Sequence, residues 1–320
     1  MTKSISVVIP NYNGLELLRQ NLPFTFSALK TSGISDFEII VADDGSKDDS
    51  VIFLKDHYHD ILIVQNHKNL GFSGNVNSGI KIAEKDLLLI LNNDVRLGDK
   101  YFTHLLPYFD KPDTFGVMGR IIAEDSDKIQ DGAKYPGYSF SAIISTKNYV
   151  CNKRNSLYSL FLSGANALTD RKKTVQLGGF NEVFNPYYSE DADLGISAWR
   201  AGYKLYYDHR AECRHPNSAT IGKEPADKVK IIARRNKYIL HYLHLDGMEL
   251  VFYLLKVFFK TFFRSLTLNR IYFLSIFSFF LNFRKIQTVR KQYQPLRRYS
   301  IREINDFIKK DIGNDEIEVF

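Results

Sequence analysis

Four short apolar runs separated by segments of helical spacing occupy the first hundred residues, and they restrict the fold more than any other feature of the chain. Ile5–Pro10, Glu38–Ala42, Ile61–Gln65 and Leu87–Leu91 predict strands, while Leu15–Lys30, Asp48–Asp60 and Ser73–Ala83 predict the helices between them. This is the pattern of an α/β protein with a mostly parallel, Rossmann-like sheet and crossover helices. In open sheets of that kind ligands sit beyond the carboxyl ends of the strands. Asn11, Asp43, Asp44 and Asp94 all gather there.

With 320 residues, 44% of them hydrophobic, the chain can build a large core. Its two cysteines, Cys151 and Cys213, rule out a disulfide framework, and no secretory signal precedes the first strand, so a cytoplasmic setting is expected. The net charge of +7 is unevenly spread: −3 over residues 1–227, +14 over 228–310 and −4 over 311–320. The basic stretch is rich in Phe, Tyr and Leu, which suits an anionic membrane surface better than a nucleic acid duplex.

Four polar stations carry the chemistry. Val41–Ser46 places Asp43 and Asp44 after a buried strand, at a turn that ordinary loop formation also explains. Leu87–Leu91 delivers Asn92, Asn93 and Asp94 to its tip, where a carboxylate shared with substrate phosphates can hold a hard divalent ion. Tyr187–Leu194 contains Glu190, Asp191 and Asp193 at a helix start, a position that the helix dipole favours for acids and that also suits a general base. His215 follows a strand-like segment at Lys204–Tyr207, within a stretch that continues to Asn217 and Ser218.

In this order and at these spacings the stations resemble the family 2 glycosyltransferases with the GT-A fold. Ser6–Gly14 (SVVIPNYNG), Val41–Ser46, Asn69–Gly79 (NLGFSGNVNSG), Asn92–Asp94 at the place of the D-x-D element, Gly178–Asp193 (GGFNEVFNPYYSEDAD) and Trp199–Tyr203 (WRAGY) carry the likeness. The resemblance covers about residues 4–220. It implies that Pro10, Tyr12, Asp43, Asp44, Asn77 and Asn92 contact the nucleotide-sugar donor, and that Asp94 and His215 bind a divalent metal, Mg or Mn. It further implies that Asp191 is the catalytic base, with Glu190, Asp193 and Trp199 on the acceptor side or positioning it. Asn92 and Asn93 stand where members often carry an acid, so less negative charge faces the ion. The implied reaction is an inverting transfer of a hexosyl or deoxyhexosyl group from a nucleotide diphosphate sugar to a saccharide or lipid-linked saccharide hydroxyl, in cell-surface polysaccharide assembly.

The expected organisation is a catalytic domain over residues 1–225, with a donor half to about 115 and an acceptor half from 116 that includes strand-like Val117–Ala123 and Phe161–Leu168, then a helical C-terminal region over 226–320. Lys256, Lys260 and Arg264 recur every four residues between Glu249 and Phe283, and the longest uncharged run, Ile271–Phe283, is short for a span. These segments read as interfacial helices with snorkelling basic residues, placing about 249–298 on the inner face of the cell membrane. A helical pair packed on the catalytic domain or on a second subunit is the plainer reading. The alternative function is a non-catalytic nucleotide-sugar-binding protein of the same fold; a dinucleotide oxidoreductase is disfavoured because no G-x-G-x-x-G follows the first strand. No nucleic acid partner is expected, and the oligomeric state is open.

Overall fold

The structure is a computed structural model that describes residues 3–139, 142–144, 147–151, 153–216, 224–265 and 269–320. Asn217 and Ser218 lie outside the described residues. The first hundred residues form β1 (Ile5–Asn11), α1 (Leu15–Thr31), β2 (Phe37–Asp43), α2 (Ser50–His57), β3 (Leu62–Gln65), α3 (Gly71–Ile82) and β4 (Leu87–Leu91). β1 pairs in parallel with β2 and β4, and β2 with β3. Alternation along β1 explains the layering: Val7 and Ile9 pack under Leu18, Leu22 and Leu29 of α1, whereas Val8 packs with Val76 and Ile80 of α3. Burying each such side chain contributes roughly 1.5–3 kcal/mol. β4 is apolar throughout because helices cover both faces.

The chain continues through β5 (Arg96–Leu97), α4 (Tyr101–Leu105), β6 (Thr114–Ala123), β7 (Ile129–Asp131), β8 (Ala133–Lys134), β9 (Gly137–Ser139), β10 (Ala142–Ile144), β11 (Asn148–Val150), β12 (Ser156–Tyr158), β13 (Asn166–Asp170), α5 (Arg171–Gln176), α6 (Glu190–Arg200) and β14 (Lys204–His215). The main sheet runs β12-β14-β6-β13-β4-β1-β2-β3. β6 and β14 point the same way as β1, while β13 and β12 run against it, so the sheet is mixed and mostly parallel. The strand expected at Phe161–Leu168 starts only at Asn166. Residues before it cross α6 so closely that a Cβ on Gly195 would lie 2.4 Å from Phe161 Cβ.

The expected C-terminal helical region comprises α7 (Ala226–His244), α8 (Gly247–Ser265), α9 (Arg270–Leu281), α10 (Phe283–Tyr293) and α11 (Ile301–Ile312), followed by β15 (Glu318–Val319). It is packed against α6 and the edge of the main sheet. Ile301, Ile304, Ile308 and Ile312 form one stripe of α11 in the same core as Trp199, and a Ser300–Glu303 capping box fixes where that helix begins. Arg200 of α6 donates to the His244 carbonyl at 2.6 Å, and Arg200, Arg290 and Arg297 converge on Asp246. β15 pairs with β11, which pairs with β8, in a separate three-stranded sheet. Among the described residues no helix is long and apolar enough to cross a membrane. α8 and α9 nevertheless expose Phe258, Phe259, Phe262, Phe263, Phe277 and Phe280, a contiguous apolar face of the kind that marks an interaction surface.

His241 of α7 pins this region to β10. Its Nδ1 donates to the Lys237 carbonyl at 2.7 Å, its Nε2 accepts from the Ile143 N–H at 3.0 Å, and its ring stacks on Tyr253. The neutral imidazole satisfies both contacts, whereas a second ring proton would confront the Ile143 N–H. Burial, followed by the opposing carbonyl bond and repulsion from Lys237, pushes its pKa down to about 4. The unfolded chain therefore binds more protons than the native one between about pH 6.5 and 4. Stability is full above that window and falls through it on acidification, by about 3 kcal/mol at its lower end. Urea titrations at pH 7 and pH 4.5 check this, since His241→Gln should lose most of the difference.

Candidate active site

The ends of β1, β2 and β4 assemble a cleft of about 340 Å³ lined by Pro10, Tyr12, Asp44, Asn92, Asp94 and His215, together with Asn11, Phe72, Asn75 and Tyr187. The two carboxylates of the acidic turn differ in what they do. Asp43 is buried, accepting from Asn11 Nδ2 and from the Ser46 N–H, each at 3.0 Å, so it ties β1 to the turn behind the cleft wall. Asp44 reaches the cleft while accepting from the Leu70 N–H at 2.8 Å and the Gly71 N–H at 3.1 Å. Burial pushes its pKa up and those N–H groups oppose the shift. Asn77, expected at the donor, lies elsewhere: its amide exchanges hydrogen bonds with Phe180, donating at 2.7 Å and accepting at 2.9 Å, and so fastens α3 to the Gly178–Gly179 turn.

Asp94 and His215 are 121 positions apart, and sheet pairing brings them together. β5 pairs antiparallel with the end of β14, Leu97 opposite Cys213 and Arg96 opposite Arg214, so the residues just beyond meet. His215 Nε2 stands 3.2 Å from Asp94 Oδ1. That oxygen is buried and accepts no hydrogen bond among the described residues. On the other side of the ring His215 Nδ1 lies 3.4 Å from Gln130 Oε1. A buried carboxylate oxygen and an imidazole nitrogen side by side fit a divalent ion as ligands, and Gln130 stands behind the imidazole, where an outer hydrogen-bond partner would hold the ring. Among the described residues no third His, Cys, Asp or Glu joins them, so an ion held here would need substrate oxygens and water as its further ligands.

A second cavity, of about 750 Å³, lies where α6 begins against α7 and α8. Tyr188 and Ser189 hold left-handed backbone angles, φ 77° and 74°, which turn the chain sharply into α6. Asn236 of α7 keeps them there, its side-chain amide donating to the carbonyls of Phe184, Tyr187 and Tyr188 at 2.7–2.8 Å. The three acids of α6 then diverge. Asp191 is half-buried and faces the cavity, its Oδ1 accepting from the Ala192 N–H at 2.7 Å. Burial raises its pKa, and Lys134 is the chief opposing influence. Glu190 is buried, and burial together with the neighbouring Asp191 pushes it up to about 8, so at neutral pH it is mostly protonated. Asp193 turns away: His244 Nε2 donates to one oxygen at 2.7 Å and Tyr293 Oη to the other at 2.6 Å. Trp199 is a core residue, its Nε1 donating to the Ser159 carbonyl at 2.9 Å, and it lines neither cavity.

Gly164 lies between a residue of the cleft, Phe72, and a residue of the larger cavity, Asp191. A Cβ there would lie 3.4 Å from Phe72 Cζ, on the cleft side, and 3.8 Å from Asp191 Cβ, on the other. The sequence profile of Glycosyl transferase family 2 matches residues 6–177, over half of the chain and all of the cleft-bearing strands except β14. The chain belongs to glycosyl transferase family 2. It is 27% identical over 223 residues to the O-antigen chain rhamnosyltransferase RfbN of Salmonella typhimurium, covering 69% of this chain and 68% of that one. It is 24% identical over 216 residues to the N-acetylglucosaminyl-diphospho-decaprenol L-rhamnosyltransferase of Mycobacterium tuberculosis, covering 59% and 69%. The mannosyltransferase PcManGT from Pyrobaculum calidifontis, solved with GDP-Man and Mn²⁺, shares the fold with a TM-score of 0.54 at 13% identity, over 97% of this chain and 85% of that one. GalNAc-T7, solved with UDP, GalNAc and Mn²⁺, gives a TM-score of 0.61 at 16% identity, over 77% and 49%.

This glycosyltransferase also has site residues that pattern reading left unmarked. Phe72 and Asn75 line the cleft from within the Asn69–Gly79 segment, and their N-terminal place on α3 was the available signal. Lys134, Lys230, Arg234 and Lys237 line the larger cavity from β8 and α7. Lys256 and Lys260, read from the sequence as snorkelling, line it as well. No local motif marks them, because β8, α7 and α8 meet only in the folded chain.

Proposed function

We propose that this glycosyltransferase moves a hexosyl or deoxyhexosyl group from a nucleotide diphosphate sugar in the Asp44–Asp94–His215 cleft to a hydroxyl of a lipid-linked saccharide held beside Asp191, with inversion at the anomeric carbon. The observation that carries this is that Phe72 of the cleft and Asp191 of the larger cavity both approach Gly164, setting the cleft with the Asp94–His215 pair beside a cavity whose only carboxylate among the described residues is Asp191. In the reaction the acceptor oxygen bonds to the anomeric carbon as the bond to the diphosphate breaks, and the hydroxyl proton passes to an Asp191 oxygen. Burial strengthens Asp191 as a base, and the protonated Glu190 beside it adds no competing charge. Asp94 and His215 would hold Mg or Mn, which when bound neutralises charge on the leaving diphosphate. Pro10, Tyr12, Asp44 and Asn92 surround the nucleotide, with Asp43 and Asn77 supporting them from behind.

The relatives' names favour the same setting. They describe an O-antigen chain rhamnosyltransferase and enzymes acting on diphospho-decaprenol and diphospho-undecaprenol saccharides, which favours a 6-deoxyhexose donor and polysaccharide assembly at the cytoplasmic face of a membrane. Residues 1–115 would serve the donor and 116–225 the acceptor, while 226–320 complete the acceptor cavity and lay the exposed phenylalanines of α8 and α9 on the bilayer surface. A thermal-shift panel of UDP-, dTDP- and GDP-sugars with and without Mn²⁺ or Mg²⁺ tests the donor side. One donor class should raise Tm only with metal present, by an amount corresponding to about 2.7 kcal/mol at a hundredfold excess over Kd. Metal-independent binding would favour a non-catalytic nucleotide-sugar-binding protein, and no shift with any class would count against a donor site in this cleft.

A further inference from the structure

Among the described residues the larger cavity is lined by six Lys or Arg side chains and a single acid, Asp191. Lys134 is neutralised by Asp131 and Lys230 lies 4.0 Å from Asp227. Lys237, Lys256 and Lys260 have no acidic partner among the described residues, and Arg234 rests over the Tyr272 ring at 5.4 Å. Lys237 is close enough to Lys256 and Lys260 for their charges, after burial, to lower its pKa. Three converging ammonium groups without a counter-charge repel one another in the free protein. A multivalent anion relieves that repulsion and gains charge-assisted hydrogen bonds.

The surroundings identify the anion. On α8 the stripe Tyr253, Lys256, Val257, Lys260 faces the cavity, and the exposed Phe258, Phe259, Phe262 and Phe263 continue along the same helix outside it. α8 therefore carries an exposed apolar aromatic face beside cations that share a cavity with the Asp191 carboxylate. An amphiphile that matches all three has a hydrocarbon chain, a diphosphate and a sugar. We propose that Lys237, Lys256, Lys260 and Arg234 form a binding site for the diphosphate of a prenyl-diphosphate-linked acceptor, and that the hydroxyl glycosylated belongs to the first or second sugar after it. A cavity of about 750 Å³ is of the size that encloses a small-molecule ligand and leaves no room for a long glycan between diphosphate and base. The class of reaction that supplies this substrate is accordingly the transfer of a first sugar phosphate onto a prenyl phosphate.

This site rests on the assignment of Asp191 to the acceptor side, and the test separates the two. Farnesyl diphosphate serves as probe, titrated calorimetrically into the full chain beside farnesyl phosphate and farnesol. The wild type should bind the diphosphate most tightly, and Lys256→Ala combined with Lys260→Ala should weaken it by about tenfold or more, with Tm unchanged. Lys256→Arg with Lys260→Arg should restore binding, and Asp191→Asn should bind the probe normally while failing to transfer sugar. Equal affinity in the wild type and the double alanine variant, or no preference over farnesol, overturns the proposal while leaving Asp191 untouched. Vesicles of phosphatidylglycerol form the other arm: if the double alanine variant loses vesicle binding while farnesyl diphosphate and farnesyl phosphate bind alike, the cations serve a phospholipid headgroup, and the proposal fails. An active Asp191→Asn variant with normal probe response would instead overturn the base assignment.

Discussion

Replacing Asp191 with asparagine should leave donor binding intact and lower kcat by about 10²–10⁴-fold. The amide is isosteric with the carboxylate, and its oxygen can keep the 2.7 Å contact with the Ala192 N–H, so little else changes. What is lost is the atom that receives the acceptor proton. The pH profile supplies a second readout. The base works when unprotonated, so activity is full above its pKa and falls as pH drops through it. Burial raises that pKa above the ordinary value of about 3.9 for an aspartate, and Lys134 restrains the rise. The acid limb should therefore lie above the usual carboxylate range, and Lys134→Met should move it further toward neutral. An asparagine variant with wild-type kcat would sink the assignment.

The second large effect is expected at Asp94. Asp94→Ala should lower kcat/KM by about 10²–10³-fold, the equivalent of a few kcal/mol of charge stabilisation. It should also abolish the dependence of nucleoside diphosphate binding on Mn²⁺, measured by calorimetry. Stability moves differently. Asp94 Oδ1 is buried, has no hydrogen bond among the described residues and lies beside the His215 nitrogen, so its removal should not lower Tm in metal-free buffer. A variant that melts earlier yet binds nucleotide with unchanged metal dependence would make Asp94 a structural residue and place the ion elsewhere.

The strands and helices before residue 94 were legible because each has a clear period and ends in polar residues. β4 matches its expected bounds at Leu87–Leu91, since a fully apolar run between two helical layers admits no other register. The acceptor half was harder. Its strands are two or three residues long from β7 to β12, too short for any periodicity, and the apolar residues from Phe161 onward form a loop because α6 passes beneath them. The site divides in the same way. Pro10, Tyr12, Asp44, Asn92, Asp94 and His215 are placed at strand ends, which sequence order predicts once the sheet is recognised. Asp43, Asn77, Asp193 and Trp199 are polar or aromatic residues in the right neighbourhoods whose side chains point into the scaffold, and orientation is decided by tertiary partners such as Asn11, Phe180, Tyr293 and Ser159. The cation cluster was invisible because Lys237 and Lys256 belong to different helices.

The small sheet closed by β15 joins distant stretches of the chain beside the larger cavity. Glu318 pairs with Val150, and the backbone of Phe320 exchanges hydrogen bonds with Asn148 at 2.9 and 3.1 Å, so residues 318–320 brace the layer that carries Lys134. Pairing over so long a sequence separation closes a large loop, which costs more chain entropy than the short crossovers of the main sheet. Amide protons near Asn148 should therefore exchange with solvent through local opening of this edge before those of β1 and β4 do.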